Sequence, residues 1–468
     1  MIKPHDGSSG QIVAAVSPIK PEEVEKRYRD WPFAVLFMVN VGVIFILVAS
    51  LGATAAKSNS ESLSDSNIKA LVGVASGMAV VAMALAVLMA KIIPLYAHGM
   101  ILFVLWFNLG VAVAFVAIGI AIANFLLAAL GVVVALLNWC YVRSVKHRIP
   151  LAVAHLRVAE AAISKNAAIY VVSLVFTIVQ IFWVVMWSLA LLGVTAHLSK
   201  KSSSATTLDS TQTQSGGNYS WAYALLMLSF YWGIQVVKNV VHTTVAGTVA
   251  AFWYQSEPSN ATRASLKRAT TTSFGSICFG SLLVAILQTL HALAKNSRKK
   301  GGAAACVAEC LLSWLESIME YLNRWAFVYV GIYGYSFTKA GGAVSQLFHH
   351  RGFTALLNDD LVRIVLRLTA IGVGLICACV GAVVAELSDA FTFQFSTTLL
   401  AILGFVVGFS VALTPLAVVS SSVATIFVCF AEDPVPFQRS HPELYAALAQ
   451  GWHGLHPDLI VQAGYWHV

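Results

Sequence analysis

Long apolar stretches separated by short polar segments make up most of the chain. The first long apolar run begins near Trp31, and the last ends near Phe430. Because roughly 18–20 consecutive apolar residues span the hydrocarbon core of a bilayer, this pattern predicts a polytopic helical membrane protein. We expect an all-α fold with about ten transmembrane helices and one or two amphipathic helices at the membrane surface.

The apolar runs also set the predicted domain organisation. A cytoplasmic polar tail occupies residues 1–30, a transmembrane helical domain residues 31–431, and a cytoplasmic C-terminal tail residues 432–468. The predicted spans cover about residues 31–55, 70–90, 99–120, 124–142, 167–192, 221–249, 273–294, 325–348, 364–387 and 395–430.

Two further segments, 151–165 and 306–322, carry the amphipathic pattern typical of helices that lie on a membrane surface. A basic cluster at 295–300 falls outside the cell by simple alternation of spans, against the positive-inside rule. Either segments 273–294 and 325–348 both re-enter the membrane, or the rule fails at this late loop.

Composition agrees with membrane embedding and excludes several classes of function. The chain is 58% hydrophobic and only 11% charged, whereas soluble domains carry about 25% charged residues. The net charge of +8 does not indicate a nucleic-acid partner, because excess Lys and Arg in membrane proteins collect in cytoplasmic loops. The basic segment 143–165 is therefore predicted to be cytoplasmic. The seven scattered cysteines predict neither a disulfide framework nor a metal site.

A polar stripe lies inside the apolar segment 221–249. Trp232, Gln235, Asn239 and His242 follow the spacing i, i+3, i+7 and i+10, so a helix presents them on one face. Because hydrocarbon offers such groups no hydrogen-bond partners, the stripe must face protein or water. We predict that it lines a translocation path; the alternative is that its hydrogen bonds hold helices together.

A similar aromatic and polar face occurs in the segment 167–192. Gln180, Trp183 and Trp187 follow the spacing i, i+3 and i+7. Packing or an interfacial tryptophan belt would also explain them, but a belt lies at helix ends and Trp183 falls near the middle. In the polar loop that follows, Asn218 begins a sequon and is the predicted glycosylation site.

Several blocks of the chain resemble the choline transporter-like family. They are Phe-Tyr-Trp with the polar stripe at 230–247, Ser-Phe-Gly-Ser within 273–282, Tyr-Leu-Asn-Arg-Trp within 310–334, and Phe-Val-Cys-Phe-Ala-Glu-Asp at 427–433. The resemblance implies about ten spans, two cytoplasmic termini, a location in the plasma membrane, and uptake or exchange of choline and related amines. The short loop after the first span is similar to the branch found in fungi, plants and protists.

Choline is a quaternary ammonium ion without an N–H group, so its site must stabilise bare positive charge and methyl groups. The faces of aromatic rings do this, at about 0.5–2 kcal/mol per ring. The spans contain almost no acidic residue, so we do not expect a carboxylate counter-ion. The candidates for an aromatic cage are Trp183, Trp187, Tyr231, Trp232 and Tyr333, and the candidates for binding the hydroxyl group are Gln180, Gln235 and Asn239.

Two titratable residues of the segment 221–249 need separate interpretation. His242 is the candidate for proton coupling, because the unperturbed pKa of histidine lies near 6.5. The alternative for His242 is a hydrogen bond between helices. Lys238 would repel a cation if it faced the site, so we expect it to snorkel or to pair elsewhere.

The predicted function is therefore transport of choline or a related small organic cation such as ethanolamine, without a cofactor and without enzymatic chemistry. The predicted partners are this cation and membrane lipids. The alternatives are a lipid- or phosphocholine-handling membrane protein and a non-transporting membrane scaffold.

Overall fold

The computed structural model describes residues 27–52, 65–121, 125–206, 220–255, 260–298, 303–350, 361–387 and 396–455, and every regular element in these ranges is helical. The first eight α-helices are α1 (Trp31–Leu47, continued by a π-helical turn), α2 (Asp65–Leu95), α3 (Ala97–Ala121), α4 (Phe125–Val145), α5 (Ile149–Lys165), α6 (Ala168–Thr206), α7 (Ser220–Tyr254) and α8 (Ala261–Thr270). The remaining helices are α9 (Phe274–Arg298), α10 (Ala303–Tyr333), α11 (Phe337–His350), α12 (Leu361–Leu387), α13 (Ser396–Glu432), α14 (Val435–Ser440) and α15 (Pro442–Leu455).

Nine helices in the described ranges are long and apolar enough to cross a membrane: α1, α2, α3, α4, α6, α7, α9, α12 and α13. Their outer sides keep large apolar side chains exposed, such as Val80 on α2 and Phe103 on α3. Placing such surface in lipid rather than in water removes the cost of hydrating it. These helices confirm the predicted all-α, polytopic membrane fold.

The central helix of the bundle is α7. It packs against α6, α8, α9, α10 and α13. Half of the residues in its apolar 18-residue stretch are buried, whereas the buried share is 11–44% in the other eight candidate spans. Its crossing with α10 is close, because a Cβ added at Gly331 would lie 2.7 Å from the backbone oxygen of Thr243 and 2.8 Å from the Cβ of Ala246. The predicted polar stripe therefore lies on the most enclosed span.

The boundaries of α10 differ from those predicted. The surface helix predicted at 306–322 and the span predicted from residue 325 form one continuous helix that ends at Tyr333. No Gly or Pro lies between these two predicted segments, so nothing in the sequence breaks the helix there. Gly334, directly after Tyr333, has a φ of 65°, a conformation that favours glycine and ends the helix. The predicted break near residue 323 is wrong, and the helix breaks ten residues later.

The helices α9 and α10 run antiparallel, and polar side chains of α10 find partners on α9. Glu316 lies 2.7 Å from the Nδ1 of His291, and the Asn323 amide donates to the backbone oxygen of Gly280 at 2.9 Å. The 25 residues of α9 extend about 37 Å at 1.5 Å per residue, which is enough to cross a bilayer. This length favours a full crossing over re-entry for the segment predicted at 273–294.

Both ends of the described chain approach one face of the bundle, here called the terminal face, where α1, α9 and α11 begin and α7, α10 and α13 end. Asp30 accepts hydrogen bonds from the Ser276 hydroxyl at 2.7 Å and from the backbone N–H of Phe337 at 2.9 Å. The Trp253 indole donates to the backbone oxygen of Asp433 at 2.9 Å. Asp30 and Asp433, which border the two predicted cytoplasmic tails, therefore lie on the same face.

The amphipathic helix predicted at 151–165 forms as α5, but protein covers its apolar face. It packs against α13 and α15, and the ring of His155 lies 5.4 Å from the Phe427 ring and 5.8 Å from the Trp452 ring. Burial lowers the pKa of His155 to about 4, although Nδ1–H donates to the backbone oxygen of Leu151. The contact expected with a membrane surface is thus made with the C-terminal helices.

Candidate functional site

The polar stripe of α7 packs against α9. The Trp232 indole donates to the backbone oxygen of Cys278 at 3.0 Å, and the Asn239 amide donates to the Ser281 hydroxyl at 2.9 Å. Gln235, between them on α7, is also buried. Buried polar groups in proteins are paired in this way. Trp232 and Asn239 therefore link the two helices.

His242, the last residue of the stripe, connects three helices. Its Nε2 lies 2.9 Å from the backbone oxygen of Arg324 on α10, and its Nδ1 lies 2.6 Å from the Ser421 hydroxyl on α13. A carbonyl can only accept, so Nε2 carries the hydrogen and Nδ1 of the neutral ring accepts from Ser421. A second proton on the ring requires the Ser421 hydroxyl to turn and accept.

The two tryptophans of α6 pack against the backbone of α7. The Trp187 indole donates to the backbone oxygen of Leu226 at 2.8 Å, and the Trp183 indole N–H lies 3.4 Å from that of Phe230. A Cβ added at Gly233 would lie 2.1 Å from the Trp183 ring. The absence of a side chain at Gly233 is therefore what admits this indole between the helices.

The predicted cage residues do not converge on one place. Tyr231 is half-buried on α7, as is Gln180 on α6, whereas Tyr333 lies on the terminal face beside Tyr254, the last residue of α7. Positions 231 and 254 of one helix are about 35 Å apart. The substrate-binding roles of these residues stay predictions, and Asn218 lies outside the described residues.

Lys238 turns away from the buried stripe. Its side chain is exposed, and it interacts favourably with the charge of Glu320. The charges of Arg324, Arg363 and Arg367 act on it in the opposite sense. Lys238 thus belongs to a region with an excess of positive charge, outside the contacts that link α7 to α9.

A group of tyrosines surrounds one carboxylate where α7, α10 and α13 end. We call it the tyrosine–glutamate cluster, and it consists of Tyr254, Tyr329, Tyr333, Tyr335 and Glu432. The Tyr329 hydroxyl donates to the Glu432 carboxylate, and the hydroxyl oxygens of Tyr254 and Tyr333 are 3.5 Å apart. The centroid of the Tyr333 ring lies 5.8 Å from that of Tyr329 and 5.3 Å from that of Tyr335. Three helix ends thereby assemble one continuous aromatic and acidic cluster.

Local features of the sequence position this cluster. Tyr329 and Tyr333 are about one turn apart on α10 and share a face. Gly334 ends that helix and opens the short break before α11. The Arg268 guanidinium on α8 donates to the backbone oxygen of Gly331 at 2.6 Å, which satisfies one of the carbonyls left open at the end of α10.

The cluster concentrates negative potential. Glu432 contributes a charge, the ring faces contribute the negative side of their quadrupoles, and the C-terminal ends of α7, α10 and α13 contribute partial negative charges. Arg268 offsets part of this potential at α10. The Nζ of Lys339 lies over the Tyr335 ring, 4.1 Å from its centroid. The cluster can therefore stabilise an organic cation, and one of its rings already faces an ammonium group.

Sequence reasoning selected only Tyr333 from this cluster. It expected no carboxylate counter-ion, whereas Glu432 is half-buried in the last turn of α13 beside these tyrosines. A glutamate at a helix C-terminus opposes the macrodipole, so its position next to the tyrosines is a sequence signal that could have drawn attention to this place. The i, i+4 pair Tyr329 and Tyr333 is a second such signal.

The described helices define a polytopic helical membrane protein. A family model described as plasma-membrane choline transporter matches residues 128–435, about two thirds of the chain. The chain belongs to the choline transporter-like family.

Curated relatives come from fungi and from a slime mould. The chain is 31% identical to Protein PNS1 of Gibberella zeae over 328 residues, which are 67% of this chain and 60% of that protein. It is 28% identical to a CTL-like protein of Dictyostelium discoideum, over 69% of this chain and 57% of that protein. It is also 28% identical to Protein PNS1 of Eremothecium gossypii, over 99% and 88% respectively. The chain spans 45–60% of the length of the first curated relatives it matches.

Proposed function

We propose that the protein transports choline or a related small organic cation across the plasma membrane, with both termini in the cytoplasm and the cation held by aromatic side chains. The observation that carries this proposal is the match of a choline-transporter family model to residues 128–435, a range that contains α7, α10 and α13 whole. The buried aromatic and amide groups on α6 and α7 support it, because they suit a cation that cannot donate a hydrogen bond.

The energetics of such a site are modest. Two or three rings contribute about 1–6 kcal/mol in total, and a dissociation constant of 1 mM corresponds to about 4.1 kcal/mol. Ring contacts alone therefore give roughly millimolar binding. Tighter binding needs a charged partner or hydrogen bonds to the hydroxyl group of the substrate.

His242 is the proposed group for proton coupling. Its neutral ring joins α7 to α10 and α13, and protonation would reverse the hydrogen bond to Ser421. A proton on His242 would therefore change a contact between α7 and α13. In this proposal, that contact is the one that couples the proton to the movement of helices.

The test is flux into proteoliposomes. Purified protein should take up labelled choline saturably, and unlabelled ethanolamine or thiamine-type cations should compete according to their affinity. Protein-free liposomes and liposomes with a heat-inactivated preparation are the controls. Absence of saturable flux for all of these cations would exclude transport of small amines and leave the lipid-handling and scaffold alternatives.

A lipid- or phosphocholine-handling role is the second candidate. The observation that favours it is the positive region formed by Lys238, Arg324, Arg363 and Arg367, with Glu320 as the acidic group among them. Such a region suits a phosphate, whereas it repels a bare cation. Competition by phosphocholine that is stronger than competition by choline would favour this candidate.

A further inference from the structure

We infer that the tyrosine–glutamate cluster is a binding site for a quaternary ammonium ion, with Glu432 as its counter-ion and Lys339 as an internal competitor. The inference deepens the proposed function and rests on it for the choice of ligand. The resulting site lies on the terminal face, away from the polar stripe of α7.

The groups around Glu432 favour a positively charged ligand. The carboxylate of Glu432 is half-buried, and it receives the Tyr329 hydroxyl. It lies at the C-terminus of α13, where the helix macrodipole already disfavours a negative charge. The ends of α7 and α10 add further partial negative charge at the same place. A cation bound beside Glu432 is attracted by these groups, and the Arg268 guanidinium at the end of α10 offsets part of the attraction.

The four tyrosine rings of the cluster favour a particular kind of cation. Tyr329 and Tyr333 are almost completely buried, and Tyr254 and Tyr335 are half-buried at the rim. Aromatic faces favour a weakly hydrated cation with methyl groups, because such an ion is desolvated at little cost. A primary ammonium ion such as that of lysine is hydrated more strongly. The four rings therefore select a quaternary ammonium ion over a primary one.

One aromatic face of the cluster already holds a cationic group of the chain itself. Lys339 projects from the first turn of α11, and its Nζ lies 4.1 Å from the centroid of the Tyr335 ring. Its side chain is exposed, so it can leave this position without unfolding the helix. Gly334, in the break between α10 and α11, has φ 65°, which turns the chain beside the rings. An external cation then competes with Lys339 for the same negative potential.

The test is calorimetric titration of the full chain in detergent with tetramethylammonium. Glu432→Gln keeps an acceptor for the Tyr329 hydroxyl but removes the charge, and we expect its Kd to rise at least tenfold. The matched control is Asp433→Asn, which removes the same charge one residue further along, where the carboxylate accepts from the backbone N–H of Val435. We expect Asp433→Asn to change Kd less than threefold.

Two further variants separate ring and charge effects. Lys339→Met should lower the Kd of tetramethylammonium two- to fivefold, because it removes a competing charge. Tyr335→Leu should raise Kd several-fold while Tyr335→Phe leaves it nearly unchanged. These rim positions are half-buried or exposed, so they test the site even if Glu432→Gln does not fold. The neutral isostere 3,3-dimethyl-1-butanol should not respond to Glu432→Gln.

The outcomes distinguish this inference from the proposed function. Absence of tetramethylammonium binding, or equal Kd values for the wild type and Glu432→Gln, overturns the inference even if choline flux is saturable. Binding that depends on Glu432, in a protein without choline flux, supports the site and refutes the transporter. An effect of Asp433→Asn equal to that of Glu432→Gln also overturns the inference, because general charge would then explain both.

Discussion

The close crossing of α7 and α10 gives a sharp prediction for Gly331→Ala. The added methyl group would lie 2.7 Å from the backbone oxygen of Thr243 and 2.8 Å from the Cβ of Ala246, and neither atom can rotate away. Overpacking of this kind typically costs about 1–3 kcal/mol, and the rigid neighbours favour the upper end. The better helix propensity of alanine offsets up to about 1 kcal/mol. We expect a net loss of about 2 kcal/mol.

The matched control is Gly341→Ala, the same substitution in α11, where no atom lies within 4 Å of the added Cβ. This variant should gain up to about 1 kcal/mol, because alanine is the better helix former. Tryptophan fluorescence during thermal unfolding in detergent provides the assay. The reasoning is refuted if Gly331→Ala unfolds at the same temperature as Gly341→Ala, because the crossing would then have room to spare.

The remaining predictions concern three other contacts. The pKa of His155 falls from 6.5 to about 4 on folding, so the unfolded chain binds more protons than the folded chain at acidic pH. The free energy of unfolding should therefore fall by about 2 kcal/mol between pH 7.5 and pH 5. His155→Phe should remove this part of the pH dependence, and an unchanged pH dependence in that variant would contradict the prediction. Asp30→Ala removes the acceptor for the backbone N–H of Phe337, so thermal unfolding should reveal a loss of about 1–2 kcal/mol, whereas a wild-type melting curve would argue against this cap. Trp232→Phe keeps an aromatic ring but loses the hydrogen bond to the backbone oxygen of Cys278, so the free energy of unfolding should fall by about 1 kcal/mol. The KM of choline should change less than twofold. A larger rise in KM would assign Trp232 to substrate binding.

The membrane fold is readable from sequence because span length and apolarity are local properties. The α9–α10 hairpin is the instructive exception. Glutamates such as Glu316 make its first half resemble a surface helix, yet the partner His291 lies on the neighbouring helix. No local pattern records that pairing. The first half of α10 thus pairs with α9 on one side, while apolar residues such as Val307 and Trp314 stay exposed on the other.

The tyrosine–glutamate cluster was largely invisible for a related reason. Tyr254, Tyr333 and Glu432 end three different helices that are far apart in the chain. The sequence shows each helix end only approximately, and it does not show which ends meet. The polar stripe of α7 was visible because all its members follow one helical period. Its hydrogen bonds to α9 depend on a neighbour that periodicity does not identify.

The hydrogen bonds of Asp30 have a consequence for the order of assembly during synthesis. Asp30 binds groups that lie 246 and 307 residues further along the chain. At about 5–20 residues per second, a ribosome needs roughly 15–60 s to produce the later partner. During that interval α1 must remain in the bilayer without these contacts. Among the nine candidate spans of the described ranges, α1 has the highest mean hydropathy, 2.7, and the smallest buried share, 11%. The nascent first helix is thus suited to wait in lipid until its binding partners emerge.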